Sequence, residues 1–414
     1  MEQAEVIPHL FRTEYRKIVS VLSKLFGIEH INIAEDIVSD TFLLASELWG
    51  LKGVPENPTA WLYFVAKNKT KDYLKRNSIF NQKISKEIKY TQDQSVEMKI
   101  DLSAENIYDS QLAMIFVVCH PCNSIDSQIS LALNLLCGFG VDEISNAFLK
   151  KKEVIYKRLQ RAKEKLKSEK VKIASPSSTE IKDRLPAVLM TLYLFFNEGY
   201  YSLNQDITLR KDICLEAMRL TSMLVENDQT NQPAVNALQS LMYFHASRFN
   251  ARVNNKGETI LYQDQDTKMW DWEMIKKGEH FLNKASQGNE ISKYHLEAGI
   301  AYWHTFKTDT IEKWENILQL YNELLVVEYS PIAALNRTYV LAKVKGKRKG
   351  IEEAEKLNLT GTYLYHSLLG ELYMDIDNTS AILHFQKAMD LARSKADQAV
   401  ISQKIMECKK QSFL

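Results

Sequence analysis

Apolar residues recur at three- and four-residue steps along most of the chain, the period of helices with one buried face. Leu10, Phe11, Tyr15, Ile18, Val19, Leu22, Leu25 and Phe26 predict a first helix within residues 8–30. A second is predicted over 34–49, with Ile37, Val38, Phe42, Leu43 or Leu44, and Leu48 on its apolar face. Glu35 and Asp36 fall in its first turn, where the positive end of the helix dipole favours them. Gly50, Gly53, Pro55 and Pro58 then interrupt the chain. A third helix is expected from about Thr59 to Arg76, with Trp61, Leu62, Phe64, Val65 and Tyr73 as candidate core. Residues 77–108 are polar, weakly periodic and read as a linker. Helical spacing resumes over 110–118 and 127–137. Two short segments, 141–148 and 152–167, follow around a tight turn at 149–151. Residues 172–179, with Pro176 among serines, read as a second linker. The rest, from Ile181 onward, reads as successive helices with short polar loops, except 254–270. There Gly257, Asp264 and Asp266 suggest an ordered loop or short extended pieces. The fold class expected is all-α.

Composition agrees: 14 Gly and 8 Pro among 414 residues leave few turn punctuators. That length accommodates two to four domains at roughly 100–200 residues each. No apolar run approaches the roughly 20 residues of a membrane span. The start, Met1-Glu2-Gln3-Ala4-Glu5, is acidic where a signal peptide begins with basic residues, so a cytoplasmic location and no membrane partner are expected. Five cysteines, an odd number, fit reduced thiols.

The net charge of +1 argues against a strongly basic nucleic-acid binder until its distribution is considered. Residues 67–76 carry Lys67, Lys69, Lys71, Lys75 and Arg76 against Asp72 alone, and residues 150–172 carry eleven bases against Glu153, Glu164 and Glu169. Both stretches lie on predicted helices. The second belongs to a helix-turn-helix pattern in which Ile144, Ala147, Phe148, Val154 and Leu159 form the apolar seam. Its second helix then presents Lys152, Tyr156, Lys157, Gln160, Arg161 and Lys163 outward. Arg and Gln can read base edges in a major groove, while Lys and Tyr can hold phosphates. An ordinary α-hairpin with a solvated basic face is the bland alternative.

Several segments resemble a known family. Ala34-Glu35-Asp36-Ile37-Val38-Ser39-Asp40-Thr41-Phe42, Pro58-Thr59-Ala60-Trp61-Leu62-Tyr63-Phe64-Val65-Ala66-Lys67-Asn68 and the 110–168 block resemble, in order, regions 2.2, 2.3–2.4 and 4 of bacterial RNA polymerase sigma factors, sigma-70 family, extracytoplasmic-function type. Arg184-Leu185-Pro186-Ala187-Val188-Leu189 and Leu194-Phe195-Phe196-Asn197-Glu198-Gly199-Tyr200 resemble the signature of members with a tetratricopeptide-like C-terminal domain. Cys119-His120-Pro121, the 258–266 segment ending in Asp264-Gln265-Asp266, and Ser330-Pro331 through Asn336-Arg337 match that group too. Leu368, Gly370, Tyr373, Ala381, Phe385 and Ala388 follow the repeat's pattern of small and aromatic residues on their own evidence.

The resemblance implies region 2 over 1–79, a linker over 80–109, region 4 over 110–172 and a helical regulatory domain over 180–414. It implies two partners, core RNA polymerase (β′ clamp helices and β flap) and promoter DNA. The regulatory domain would engage its own sigma domains or another regulator. Asp36, Ile37, Asp40, Leu44 and Glu47 would contact polymerase. The loop 50–58 would receive a flipped −10 base, with Asn68 beside it and Lys67, Lys71, Lys75 and Arg76 on phosphates. Trp61 would either pack in the core or stack on a base. Lys152, Tyr156, Lys157, Arg158, Gln160, Arg161 and Lys163 would form the −35 set.

Cys119-His120-Pro121-Cys122 has the spacing of a metal or redox pair but lacks a second pair nearby. Asn197-Glu198-Gly199-Tyr200 with His245, Asp264 and Asp266 lacks a nucleophile motif, phosphate loop or metal spacing. No catalytic residue, metal or cofactor is expected. The alternative function is a helical-repeat interaction protein whose sigma-like core no longer initiates transcription.

Overall fold

The computed structural model describes residues 3–76, 100–201, 207–252, 254, 260–392 and 395–411. All regular elements among them are helical, and the chain divides into two compact units. The first comprises residues 1–204 and 215–230; the second comprises 205–214 and 231–414.

The first unit opens with α1 (Gln3–Phe26), α2 (Ile31–Lys52) and α3 (Pro58–Arg76). Gly27 and Gly53 end α1 and α2 at φ 83° and 85°, conformations that glycine adopts without a Cβ clash. Asn57 Oδ1 caps α3 by accepting from Ala60 N at 3.0 Å. Ile18, Val19, Leu22, Val38, Leu62 and Ala66 form the centre of the shared core. The Tyr63 hydroxyl fixes α3 to α1 by donating to Glu14 Oε2 at 2.6 Å. Two expected core residues lie outside, Leu25 at 39% exposure and Phe64 at 64%; of the alternatives Leu43 and Leu44, Leu43 lies outside at 60% and Leu44 is half-buried. Phe42 and Leu43 are successive residues about 100° apart on a helix, so when Phe42 faces the core Leu43 turns away.

α4 (Ala104–Val118) starts inside the stretch expected to be linker; residues 77–99 of that stretch lie outside the described residues. Ser103 caps α4 by accepting from Asn106 N, and the continuous run Ser110–Val118 is buried. α5 (Ile125–Leu131) passes into a π-helical turn at Ala132–Leu136, followed by α6 (Val141–Ala147), α7 (Lys152–Ser168) and α8 (Ser178–Tyr200).

The expected boundary at 172–180 is a loop, not a break between compact units. Ser177 and Glu180 form a capping box that starts α8. The α8 residues Ile181, Leu185, Val188, Leu192 and Phe195 are buried. Arg184 donates to Phe116 O, and Thr191 Oγ1 donates to Gln128 Oε1 at 2.6 Å. Thus α8 docks on α4 and α5. Within α9 (Ile207–Glu226), the part from Leu215 also belongs to the first unit.

The second unit continues with α10 (Pro233–Ala246), α11 (Trp272–Ala285), α12 (Lys293–Trp303), α13 (Ile311–Val327), α14 (Pro331–Lys345), α15 (Lys347–Leu357), α16 (Tyr363–Tyr373), α17 (Asn378–Leu391) and α18 (Lys395–Gln411). Successive helices pack on one another. The small-and-aromatic pattern has a steric basis: a Cβ at Gly370 would stand 2.7 Å from the Phe385 ring, while Ala381, Phe385 and Ala388 are buried. The irregular 254–270 stretch contains single 3₁₀ turns at Tyr262–Asp264 and Thr267–Met269; residues 255–259 lie outside the described residues.

Candidate nucleic-acid and protein interface in the first unit

The turn between α6 and α7 is set by Leu149 at φ 50° and by Ser145 Oγ, which donates to Lys150 O at 2.6 Å. Starting α7 at Lys152 places Ile155, Leu159, Ala162 and Leu166 on one buried stripe, opposite Ile144 and Ala147 of α6. Ile155 therefore occupies the seam position expected of Val154, which is 46% exposed. The neighbouring residue carries the contact because the helix phase, which the sequence leaves loose by a residue, is fixed by the turn.

The remaining α7 surface carries two stripes. Val154, Lys157, Arg161 and Lys165 line an open groove of about 380 Å³ together with Asn123 and Ser127 of the preceding segment. Lys157 and Arg161 are exposed there. Arg158 also lines the groove, but its guanidinium turns to the scaffold: it lies 3.4 Å from Asp126, 3.5 Å from Ser130 Oγ and 5.6 Å from the Phe148 ring centroid. The second stripe holds Lys152, Tyr156, Gln160 and Lys163. Lys152 pairs with exposed Asp142 at 2.7 Å, Gln160 donates to Glu164 at 3.0 Å, and Tyr156 is 61% exposed. Lys163 donates to both carboxylate oxygens of Glu35 at 2.6 and 2.9 Å, and both side chains are largely buried. The expected −35 set is thus divided: Lys157 and Arg161 present a basic groove, Arg158 braces the scaffold, and Lys163 is engaged with α2.

On α3, Asn68 and Lys75 are exposed, whereas Lys67 and Lys71 are half-buried. The side chain of Arg76 lies outside the described residues. Trp61 packs edge-on against Trp49 with centroids 5.3 Å apart and borders the core. Packing, the first of the two roles considered for it, is the one its surroundings support. Phe64 stands exposed one helical turn before Asn68, although its spacing predicts a core position.

On α2, Asp36, Asp40 and Glu47 are exposed and Leu44 is half-buried. Ile37 is 7% exposed in the core, so it cannot offer an apolar surface to a partner. Leu43 and Leu51, at 60% and 84% exposure, occupy the outward apolar positions instead. Leu43, Glu47 and Leu51 are spaced four apart and share one face. A surplus of apolar residues over the number one helix stripe can bury is the sequence signal that marks them.

Charged groups join these elements inside the first unit. Arg16 of α1 pairs with Glu216 of α9 at 2.5 Å. Glu216 also accepts from Arg219 Nε at 2.8 Å, and Arg219 Nη2 donates to Leu136 O at 3.0 Å. Tyr108 of α4 donates to Met223 O of α9 at 2.6 Å. One segment of α9 therefore holds α1, α4 and the π turn.

The CxxC pair is not arranged for thiolate chemistry. Burial pushes the Cys119 thiol up to about 12, and burial raises Cys122 as well. Among the described residues, no group of three or more His, Cys, Asp or Glu side chains converges for a metal ion. No described helix is long and apolar enough to cross a membrane.

Residues 10–79 match the family model for sigma-70 region 2, which covers α1 from Leu10 onward, α2 and α3. Residues 184–286 match a family of unknown function, DUF6596. An uncharacterized protein of Rhizobium meliloti (strain 1021) is 30% identical over 378 residues, spanning 90% of this chain and 89% of the relative. No solved structure matches the chain.

Proposed function

The chain belongs to one family with this Rhizobium protein and is a sigma-70 family member through its region 2 domain, and from that premise we propose that it is a promoter-specificity subunit of bacterial RNA polymerase. The observation that carries the reading is the region 2 match itself, because it falls on three helices whose surfaces suit the two partners required. Asp36, Asp40 and Glu47, with Leu43, Leu44 and Leu51, give α2 an acidic and apolar face for the clamp helices of core polymerase. On α3, Lys67, Lys71 and Lys75 supply phosphate contacts, and the Asn68 amide can donate to and accept from an unpaired −10 base. Melting then proceeds by capture of splayed bases, without covalent chemistry.

The α6–α7 pair is read as the region 4 helix-turn-helix. Lys157 and Arg161 on the groove face are the principal −35 contacts. Lys152, Tyr156 and Gln160 contribute from the adjoining face, and the β flap is the expected protein partner of this region. Arg158 acts by holding the turn in place.

The C-terminal half is read as a tetratricopeptide-like regulator of this extracytoplasmic-function type factor. The contacts of α8 and α9 inside the first unit support that role, since α8 packs on α5, which packs on α7, and α9 pairs with α1, which packs on α3. The location proposed is the cytoplasm, where polymerase acts.

Reversing charge at Lys157 and Arg161 tests the assignment. Binding of holoenzyme to a −35 duplex should fall at least about 10-fold, since each lost phosphate or base contact weakens binding. Capture of core polymerase should remain. Loss of both activities in a folded variant would contradict the division of roles.

A further inference from the structure

The second unit contains a group of cations that the promoter reading does not use. Arg248, Lys307 and Lys313 lie 5.6, 5.5 and 5.4 Å from the centroid of one ring, that of Tyr262. Lys343 joins them through Trp314, whose ring lies 5.3 Å from Lys313 Nζ and 5.6 Å from Lys343 Nζ. Arg248 is only 9% exposed and Lys313 only 2%. Lys307 and Lys343 are exposed and open the group to solvent.

Carboxylate compensation is thin. Asp309 lies 3.7 Å from Lys343 and accepts from Trp314 Nε1. Among the described residues, no ion pair joins Arg248, Lys307 or Lys313 to a carboxylate within 4.0 Å. The lysines instead cap carbonyls: Lys307 donates to Tyr262 O and Gln265 O at 3.0 and 2.7 Å, and Lys313 donates to Phe306 O at 2.6 Å. The nearby imidazoles add no negative charge. His245 and His304 both have lowered pKa values, first from burial and then from Arg248. Buried cations are ordinarily paired, because carbonyls and rings replace only part of their hydration. A second observation points the same way. Trp270 Nε1 and His304 Nδ1 are buried without hydrogen-bond partners, and both rings flank Tyr262, at centroid separations of 6.2 and 5.1 Å.

We propose that this group is a binding site for a small oxyanion of the phosphate class, held by Arg248, Lys307 and Lys313, with the Trp270 and His304 N–H groups as further donors. A phosphate group supplies negative charge to the cations and acceptor oxygens to the two unpartnered ring N–H groups, and its hydrogen bonds to Arg248, Lys307 and Lys313 would be charge-assisted. Free phosphate and a phosphomonoester share this chemistry. An anion here would give the C-terminal half a small-molecule input. The binding claim itself does not depend on the promoter reading.

The test uses the full-length chain. Thermal melting and tryptophan fluorescence are followed during titration with inorganic phosphate, with glycerol phosphate, and with potassium chloride at matched ionic strength. Either phosphate should raise the melting temperature saturably, by roughly 2–4 °C near saturation, and change the fluorescence of the tryptophans beside Tyr262. A larger effect of inorganic phosphate assigns the free ion; a larger effect of the ester assigns a phosphorylated small molecule. The Lys313→Met and Lys307→Gln variants should lose most of that response. Lys307→Gln keeps the test decisive if Lys313→Met fails to fold, because Lys307 is exposed. An effect no greater than that of chloride, or a response retained in folded Lys307→Gln, would overturn the proposal.

Discussion

Ile37 is 7% exposed inside the first core, and Leu43, less than two turns along the same helix, is 60% exposed. Truncating Ile37 to Ala should cost about 2–5 kcal/mol, the usual range for emptying a packed site. Leu43→Ala should change stability by less than about 0.5 kcal/mol, as surface substitutions do, while weakening capture of core polymerase. Urea denaturation and a polymerase pull-down measure the two effects. The reverse pattern would show that the α2 face has been assigned backwards. These residues also show where sequence reading stops. Spacing announces that α2 is a helix, but Phe42, Leu43 and Leu44 are consecutive, and spacing does not decide which of them turns inward. Val154 and Ile155 pose the same problem on α7, and there the left-handed Leu149 sets the phase. The charged residues were easier to place, since Lys157, Arg161, Asp36 and Asp40 have little alternative to solvent. Lys163 and Arg158 were not, because their partners, Glu35 and Asp126, are distant in sequence.

At the scale of elements, the helices of the first 170 residues and the α16–α17 pair are legible one by one, those between only as a helical succession, and their grouping is not legible. Pro176 among serines marks a loop equally well whether the next helix leaves or docks back. Here α8 docks, burying Leu185, Val188, Leu192 and Phe195, and part of α9 follows it through Glu216, Arg219 and Met223. A chain ending at residue 175 should therefore expose the surfaces of α4 and α5 that α8 covers, and leave the buried Arg16 without its carboxylate. It should melt at a markedly lower temperature than a chain ending at residue 230. Circular dichroism melting of the two truncations checks this. Equal stability would mean that α8 and α9 contribute nothing to the first unit. The comparison also separates regulation from folding: activity lost in both truncations belongs to the second unit, whereas activity lost only in the shorter one reflects a damaged core.

At the scale of the whole molecule, pH should act through the second unit. Burial first, then Arg248 and Lys313, push His304 down to about 3. In the unfolded chain its pKa returns to about 6.5. Below about 6.5 the unfolded state takes up a proton that the folded state refuses. The stability contribution is therefore complete above 6.5 and is lost progressively as pH falls towards 3. His245 shifts in the same direction. Melting temperature should drop between pH 7.5 and 5.5, and His304→Gln should flatten that dependence; an unchanged slope in a folded variant would remove His304 as the cause. Charge tells a similar story across the chain. A net charge of +1 conceals basic segments at 67–76 and 150–172, and only their positions on α3 and α7 make them meaningful. The most direct test of the central claim is run-off transcription with the full-length chain and bacterial core polymerase on promoter fragments selected from random DNA. The account predicts transcripts that start at a fixed position, depend on the added chain, and disappear when Lys157 and Arg161 are reversed in charge. A folded chain that binds core polymerase yet yields no promoter-dependent transcript would contradict it.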